Sequence, residues 1–341
     1  MQTRSSDRDL RRSNAAWRRF RRDRLAQISA LLLGVLLLTS IITLPCSLRW
    51  YNVQELDTAV RHAPSIKPVV PHDHYTAPGK HADGDGLAAR MGLAAHSLSS
   101  WMGHDDLGRS LFYRVWPALL VSLSIGLAAA LMAVVIGAAW GAIAALAGGR
   151  VDMFMMRVVD VLYGLPYILM VILLKIALTR PLSALFAGHT KCADIVILFI
   201  AIGGVSWLTM ARVVRGQVLS LRARPFIEAA RAAGAGPAHI LFRHLLPNLV
   251  GTIMVYATLV VPQAILQESF LSFLGIGVQQ PTPSLGRLAA DGVQAVNTFV
   301  GYWWLIVFPC GLLVVTLVAL NFLGDGLRNA FDPKSSAATL V

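Results

Sequence analysis

Six of the nine histidines (His62, His72, His74, His81, His96 and His104) fall between residues 49 and 110, in company with Asp73 and Asp83. Imidazole and carboxylate are ligands for zinc and nickel, so this segment is the first place to look for chemistry. The spacing argues against a site. No H-E-x-x-H sets two histidines on one helix face, no Cys joins the cluster, and the Pro- and Gly-containing surroundings read as a solvated loop. We expect no metal and no cofactor. Cys46, Cys192 and Cys310 lie far apart without a C-x-x-C, which gives neither a zinc site nor a disulfide framework. The chain has no G-x-x-x-x-G-K-[ST] for a nucleotide, and no Ser, His or Cys stands in a motif that orients a nucleophile against a base. These residues give no catalytic constellation, and the chain reads as a non-enzyme.

Three acids invite attention for another reason. Asp160 and Glu268 are set in or beside long apolar stretches, and Glu228 stands in a basic loop. An ionisable group at membrane depth is costly and marks a functional or inter-helix role. For Asp160 the readings are a cap or inter-helix bond against a gating role. For Glu268 they are a loop-fixing hydrogen bond against a place on a solute path. Lys175 is near enough to a span end to snorkel and receives no role.

The elements that position these residues follow from composition. Of 341 residues 56% are apolar and 14% charged, which excludes both an ordinary soluble enzyme and a disordered chain. A membrane helix needs ~20 mainly apolar residues. Six stretches qualify, near residues 28–45, 118–146, 158–178, 195–211, 249–266 and 303–323. The first is an anchor rather than a cleaved leader, because Leu44-Pro45-Cys46-Ser47 lacks a small-x-small cleavage pattern. The expected organisation is an Arg-rich arm (1–27), a first membrane helix (28–48), an external loop (49–110), a core (111–323) enclosing a loop at 212–248, and a tail (324–341).

Charge sets the orientation. The net charge is +12, with 30 Lys+Arg against 18 Asp+Glu. With both termini cytosolic, the inner segments hold 19 bases and 7 acids and the outer ones 10 bases and 10 acids, with Lys175 and Asp160 inside the third span. That asymmetry satisfies the positive-inside rule. The nine arginines of the arm read as an orientation signal that also contacts anionic lipid, since the arm abuts a span and has little aromatic interleaving of the kind nucleic-acid binding uses.

The loop at 212–248 carries the sharpest punctuation. Pro225 suits a first helical turn, Glu228 sits near the positive helix end, and Ala229, Ala230, Ala232 and Ala233 leave a nearly bare surface. Gly234 stops this helix in a left-handed position, Pro237 opens another, and Pro247 turns the chain back to the membrane. Glu228-Ala229-Ala230, Gly234 and Leu246-Pro247 resemble the EAA loop of ABC-importer permeases. Gly103-His104-Asp105-Asp106-Leu107-Gly108-Arg109-Ser110 resembles the G-T-D-x-x-G-R-D segment of the dipeptide/oligopeptide branch, C-subunit type, with His104 for Thr and Ser110 for Asp. Gly148-Gly149-Arg150-Val151-Asp152 with Arg157, Asp160 and Pro166, and the run from Glu268 to Gly277 with Pro281, Pro283 and Gly286, resemble further segments of that branch.

The resemblance implies an all-α integral membrane protein with six transmembrane helices, a type I ABC-importer permease fold and a cytosolic coupling helix. It implies an inner-membrane subunit that moves peptides or similar solutes inward. Implied partners are two cytosolic ATP-binding ABC ATPases, a second homologous permease subunit and an external solute-binding protein. Glu228, Ala229, Ala230, Gly234, Leu246 and Pro247 would dock and couple to the ATPase, and Asp160 and Glu268 are candidates for the path or its gate. The competing classes are a secondary transporter, which needs intramembrane acids and often inverted repeats, and a membrane-embedded metal-dependent hydrolase, which needs ligands converging from the spans.

Overall fold

The computed structural model describes residues 20–21, 23–50, 101–105, 109–186, 190–280, 282–295 and 302–331. Outside these lie His62, His72, His74, His81, His96, Asp73, Asp83, most of the Arg-rich arm, Pro281 and residues 332–341, together with the side chains of Cys46 and Cys192. The described residues are helical apart from short connections and one isolated bridge, His104 with Ser110. In chain order the helices are α1 (Arg24–Trp50), α2 (Leu111–Ala147), α3 (Gly149–Tyr163), α4 (Tyr167–Leu185), α5 (Thr190–Arg222), α6 (Pro225–Ala232) and α7 (Pro237–Ile240). A π-helical turn, Leu241–Leu245, leads into α8 (Leu246–Phe273), and α9 (Leu285–Ala295) and α10 (Trp304–Phe331) follow. Among the described residues six segments are long and apolar enough to cross a membrane: Arg24–Pro45, Leu111–Ala147, Tyr167–Leu185, Ala193–Arg222, Pro237–Phe273 and Trp304–Ala330. Their outward faces are leucine, isoleucine and valine, such as Leu31 and Ile42 on α1 and Leu131 on α2, as a lipid environment favours.

The count of spans agrees with the sequence, but three placements differ. The third span starts at Tyr167 rather than near residue 158, because Pro166 forces Leu165 out of helical geometry and Gly164 ends α3. Asp160 therefore lies on a separate amphipathic helix outside the span. The fourth span extends to Arg222, so Arg212, Arg215 and Arg222, expected in a loop, are helical. Pro247 does not turn the chain. It sits in the first turn of α8, where its missing N–H costs little, and the widened π turn before it removes the clash with a preceding carbonyl. Helix α9 was not expected from the sequence at all.

Two compact units contain the described residues. One comprises the described parts of Met1–Leu33, Ile125–Gln267 and Leu317–Val341. Inside it α2 and α5 meet backbone to backbone. A Cβ on Gly137 would come 2.5 Å from Met210 Cβ and 2.7 Å from the Trp207 carbonyl, and one on Gly141 would come 2.3 Å from the Ala211 carbonyl. Gly137 and Gly141 make a small-x-x-x-small pair, and in lipid such close approach replaces the missing hydrophobic drive. The two indoles Trp140 and Trp207 pack edge-on beside it at 5.1 Å. The buried side chains Ala142, Ala145, Met210, Val214, Val218, Ile227, Ile240, Leu245 and Leu249 continue the core from α2 and α5 into α6, α7 and the start of α8.

The second unit comprises the described parts of Gly34–Ser124 and Glu268–Thr316. Its centre is ionic. Asp105 accepts from the Arg109 backbone N–H (2.9 Å), Arg109 Nε (2.8 Å) and Arg114 Nη1 (2.5 Å), while Arg114 and Arg287 approach Asp291 at 3.4 and 3.0 Å. His104 and Ser110, the two departures from the family pattern, flank this turn and pair through their backbones. Gly286 and Gly292 bring α9 against the backbone of Ser269 and Leu305, where a Cβ would approach to 2.3 and 2.4 Å.

Overpacking a core costs ~1–3 kcal/mol when side chains can shift, and the neighbours at Gly141 are backbone atoms. We expect Gly141→Val to lower the thermal unfolding midpoint of the detergent-solubilised protein by at least ~3 kcal/mol equivalent. Gly216→Ala, with open space around its Cβ, leaves the midpoint unchanged or slightly raised.

Candidate coupling site

Helix α6 forms where the sequence places it. Pro225 occupies its first turn, Glu228 the positive end, and Arg231 the last turn. Gly234 has φ +83°, the left-handed position that stops the helix, and its N–H reaches the Arg231 carbonyl while Ala235 N–H reaches Ala230. Glu228, Ala229 and Gly234 are exposed, Ala230 is half-buried, and Phe226 stands out at 43% exposure. Ile227 alone points inward and is fully buried in the α2–α5 core. One side of α6 is thus keyed into the bundle and the other is free.

Behind α6 the chain folds back over a shallow open depression lined by Phe226, Ala230, Gly234, Gly236, His239 and His244. His244 contacts Phe226 and His239 at ring distances of 6.5 and 5.8 Å. Leu246 and Pro247 lie at the entry to α8, Leu246 half-buried and Pro247 exposed, and the Asn248 side chain donates to the His244 carbonyl at 2.7 Å. Glu228, Ala229, Ala230 and Gly234 share one short segment, while Leu246 and Pro247 are at the far end of the same connection.

The base of this segment is pinned by arginines from α5. Arg222 donates to the Ala145 and Leu146 carbonyls at the end of α2, where unsatisfied carbonyls carry partial negative charge. Arg215 grips Asp152 of α3 with both Nε (2.6 Å) and Nη2 (2.7 Å), a bidentate pair. That bond holds the Asp152 carboxyl below the usual carboxylate range, with partial burial working against it. Three residues earlier Arg212 reaches Asp160 at 3.0 Å and covers the Tyr163 ring at 3.9 Å. Asp160 therefore makes an inter-helix ion pair, on an exposed surface, and Arg157 is not its partner. Sequence reasoning missed Ile227, Asp152 and Arg215. Only Ile227 had a usable signal, as the large aliphatic residue in an alanine-rich turn.

Glu268 lies within α8 rather than at the start of a loop, and is fully buried. Its carboxylate accepts from Ser122 (2.8 Å), Ser272 (2.7 Å) and Ser269 (3.4 Å). Ser122 and Ser272 in turn accept from the backbone N–H groups of Leu285 and Val278. One carboxylate, through two hydroxyls, fixes both ends of the 278–285 connection.

Residues 137–337 match the family described as binding-protein-dependent transport system inner membrane component, and residues 13–64 match the N-terminal TM domain of oligopeptide transport permease C. The chain is 42% identical over 238 residues to the oligopeptide transport system permease protein OppC of Bacillus subtilis, covering 70% of this chain and 73% of that one. It is 45% identical to OppC of Escherichia coli K12 over 234 residues, 69% and 72% of the two chains. Against the dipeptide transport system permease protein DppC of Lactococcus lactis the identity is 33%, over 94% of this chain and 90% of that one. A chain of the MetNI methionine ABC transporter, solved in inward-facing form, has the same fold at TM-score 0.52 and 19% identity, covering 65% of this chain and 98% of that one.

Two outcomes follow from the site. Because Asp152 ionises more readily when folded, its pair with Arg215 stabilises the protein above the ordinary carboxylate pKa of ~4 and is lost as pH falls through the depressed value. The stability difference between wild type and Asp152→Asn should be constant from pH 8 to ~5 and close below ~4, read by thermal unfolding in detergent. Glu268→Leu strands buried hydroxyl donors at ~1–3 kcal/mol each, so its unfolding midpoint should fall further than that of Glu268→Gln.

Proposed function

We propose a function from one premise: the chain belongs to the family of binding-protein-dependent transport system inner membrane components, in its oligopeptide permease C branch. It is a membrane-spanning permease subunit of an ATP-driven ABC importer. Our reading is that its solutes are peptides or similar small molecules, the class named for its relatives, and that ATP hydrolysis resides in partner subunits. Two cytosolic ABC ATPases, a second homologous permease and an external solute-binding protein complete the assembly. The N- and C-termini face the cytosol of a bacterium, the Arg-rich arm rests on anionic lipid and binds no nucleic acid, and residues 212–248 include the surface that meets an ATPase.

The observation that carries this reading is the two-sidedness of α6. Its outer side offers Glu228, Ala229 and Phe226 to a partner, and its inner side sinks Ile227 into the core shared by α2, α5 and α8. A push on the outer side bears on that core, because Ile227 is fully buried in it and Gly234 and Pro225 fix both ends of the helix. Alanines let the partner surface approach closely, and Glu228 supplies one directional charge. ATP binding to the partners then biases the bundle between outward- and inward-open states, which differ in how α6 is held.

The test uses the complete transporter in proteoliposomes. Glu228→Ala should reduce ATP-dependent peptide uptake at least ~10-fold while membrane insertion and subunit assembly persist, a loss worth ~1.4 kcal/mol of coupling. Gly234→Leu places a side chain in the left-handed region at ~1–2 kcal/mol and should act in the same direction. Wild-type uptake and ATPase stimulation by the Glu228→Ala complex would sink this role for α6. Uptake driven by a proton gradient without ATP would overturn the transporter class itself.

A further inference from the structure

Several polar side chains inside the spans are not used by the coupling segment. Tyr256, Gln263 and Gln267 are spaced seven and four residues apart on α8, which sets them on one face as a stripe about 16 Å long. Opposite them stand Ser206 and Thr209 on α5 and Tyr167 at the start of α4, and the six border one cavity of about 380 Å³. Tyr167 Oη donates to Gln267 Oε1 and lies 3.3 Å from Ser206 Oγ. Gln263 and Thr209 are exposed in this chain, although both lie within membrane-crossing helices. A threonine hydroxyl can bond its own helix backbone, but a glutamine amide facing lipid forfeits its hydrogen bonds, so Gln263 faces water or a polar partner.

The lining has a further property: none of it is charged. The cation at its margin, Arg212 over Tyr163, is already paired with Asp160. Leucine, valine, methionine and Tyr163 fill the rest of the wall. A glutamine side chain offers a carbonyl acceptor and two N–H donors, which complement the single N–H and the C=O of a peptide bond. The volume falls in the ~300–1,000 Å³ range of small-ligand sites.

We propose that this cavity is a binding station for the solute's peptide main chain, with Gln263 and Gln267 as its principal hydrogen-bonding residues. Main-chain amides meet the glutamine and tyrosine groups, and solute side chains lie against the apolar wall. Because the lining is neutral, the station does not sort solutes by charge. This inference rests on the reading of the chain as a peptide importer subunit.

A charge introduced at Gln263 tests it. Uptake by the complete transporter in proteoliposomes is measured for two tripeptides that differ only in a central lysine or glutamate. Relative to wild type, Gln263→Lys should lower the lysine-to-glutamate uptake ratio about 10-fold, and Gln263→Glu should raise it by a similar factor. Gln263 is exposed, so neither change disturbs packing. Gln267→Leu, which adds no charge, should raise the KM for both tripeptides about five-fold. Unchanged ratios in both Gln263 variants, or an unchanged KM in Gln267→Leu, with uptake intact, would overturn the station and leave the transport function standing. Absence of ATP-dependent tripeptide uptake by the wild-type transporter would overturn the functional reading and the station with it.

Discussion

Two membrane helices touch backbone to backbone at Gly137 and Gly141, and the unit that carries the coupling segment depends on that contact. In lipid, apolar side chains gain little by burial against one another, so association rests on close packing and on bonds that lipid cannot satisfy. Gly137 and Gly141 bring α2 within reach of the Trp207, Met210 and Ala211 positions of α5. That approach sets the register of everything below it. Arg222 can cap the Ala145 and Leu146 carbonyls only because α5 runs beside α2 at this distance. Arg215, whose backbone N–H lies against Gly141, is thereby presented to Asp152 on α3.

The same register explains how a short helix with little surface of its own is held in place. Eight residues do not make a stable isolated helix. Helix α6 persists because Ile227 joins Met210, Val214 and Val218 of α5 and Leu245 and Leu249 at the entry to α8. Its position is therefore a property of the bundle, and displacement of one displaces the other. The π turn at Leu241–Leu245 is a wider coil that joins α7 to α8.

Much of this was legible in the sequence, for identifiable reasons. Pro225 and Gly234 constrain φ directly, so the bounds of α6 followed from local chemistry. Spans followed from hydropathy, which integrates over many residues and tolerates local error. What escaped were effects of partners distant in sequence. Arginines at 212, 215 and 222 looked like loop residues because their acids and carbonyls lie 52 to 77 positions away. Asp160 was placed inside a span because the apolar run around Val158–Leu162 hides the break at Gly164–Pro166. Pro247 was read as a turn, since a single proline does not disclose whether a π turn precedes it. Helix α9 is rich in Gly and Ala, a composition that signals close packing only once Ser269 and Leu305 are known to lie against it.

The distribution of polar groups also limits how strongly a solute can be held. Two arginines of α5 are consumed in pairs: Arg215 by Asp152, Arg212 by Asp160. The cavity among α4, α5 and α8 is left with hydroxyls and amides. A neutral hydrogen bond contributes only ~0.5–1.5 kcal/mol net, so three or four of them give an affinity of the order of millimolar. A charge-assisted pair at the same depth would be stronger and would favour one class of solute. It would also hold that solute against release, because a path conducts only if each station is left as readily as it is entered. Tight, selective recognition belongs to a site that is not on the route. On the proposed route, a neutral lining would let the bias proposed to enter at α6 decide the direction of movement rather than the depth of a binding well.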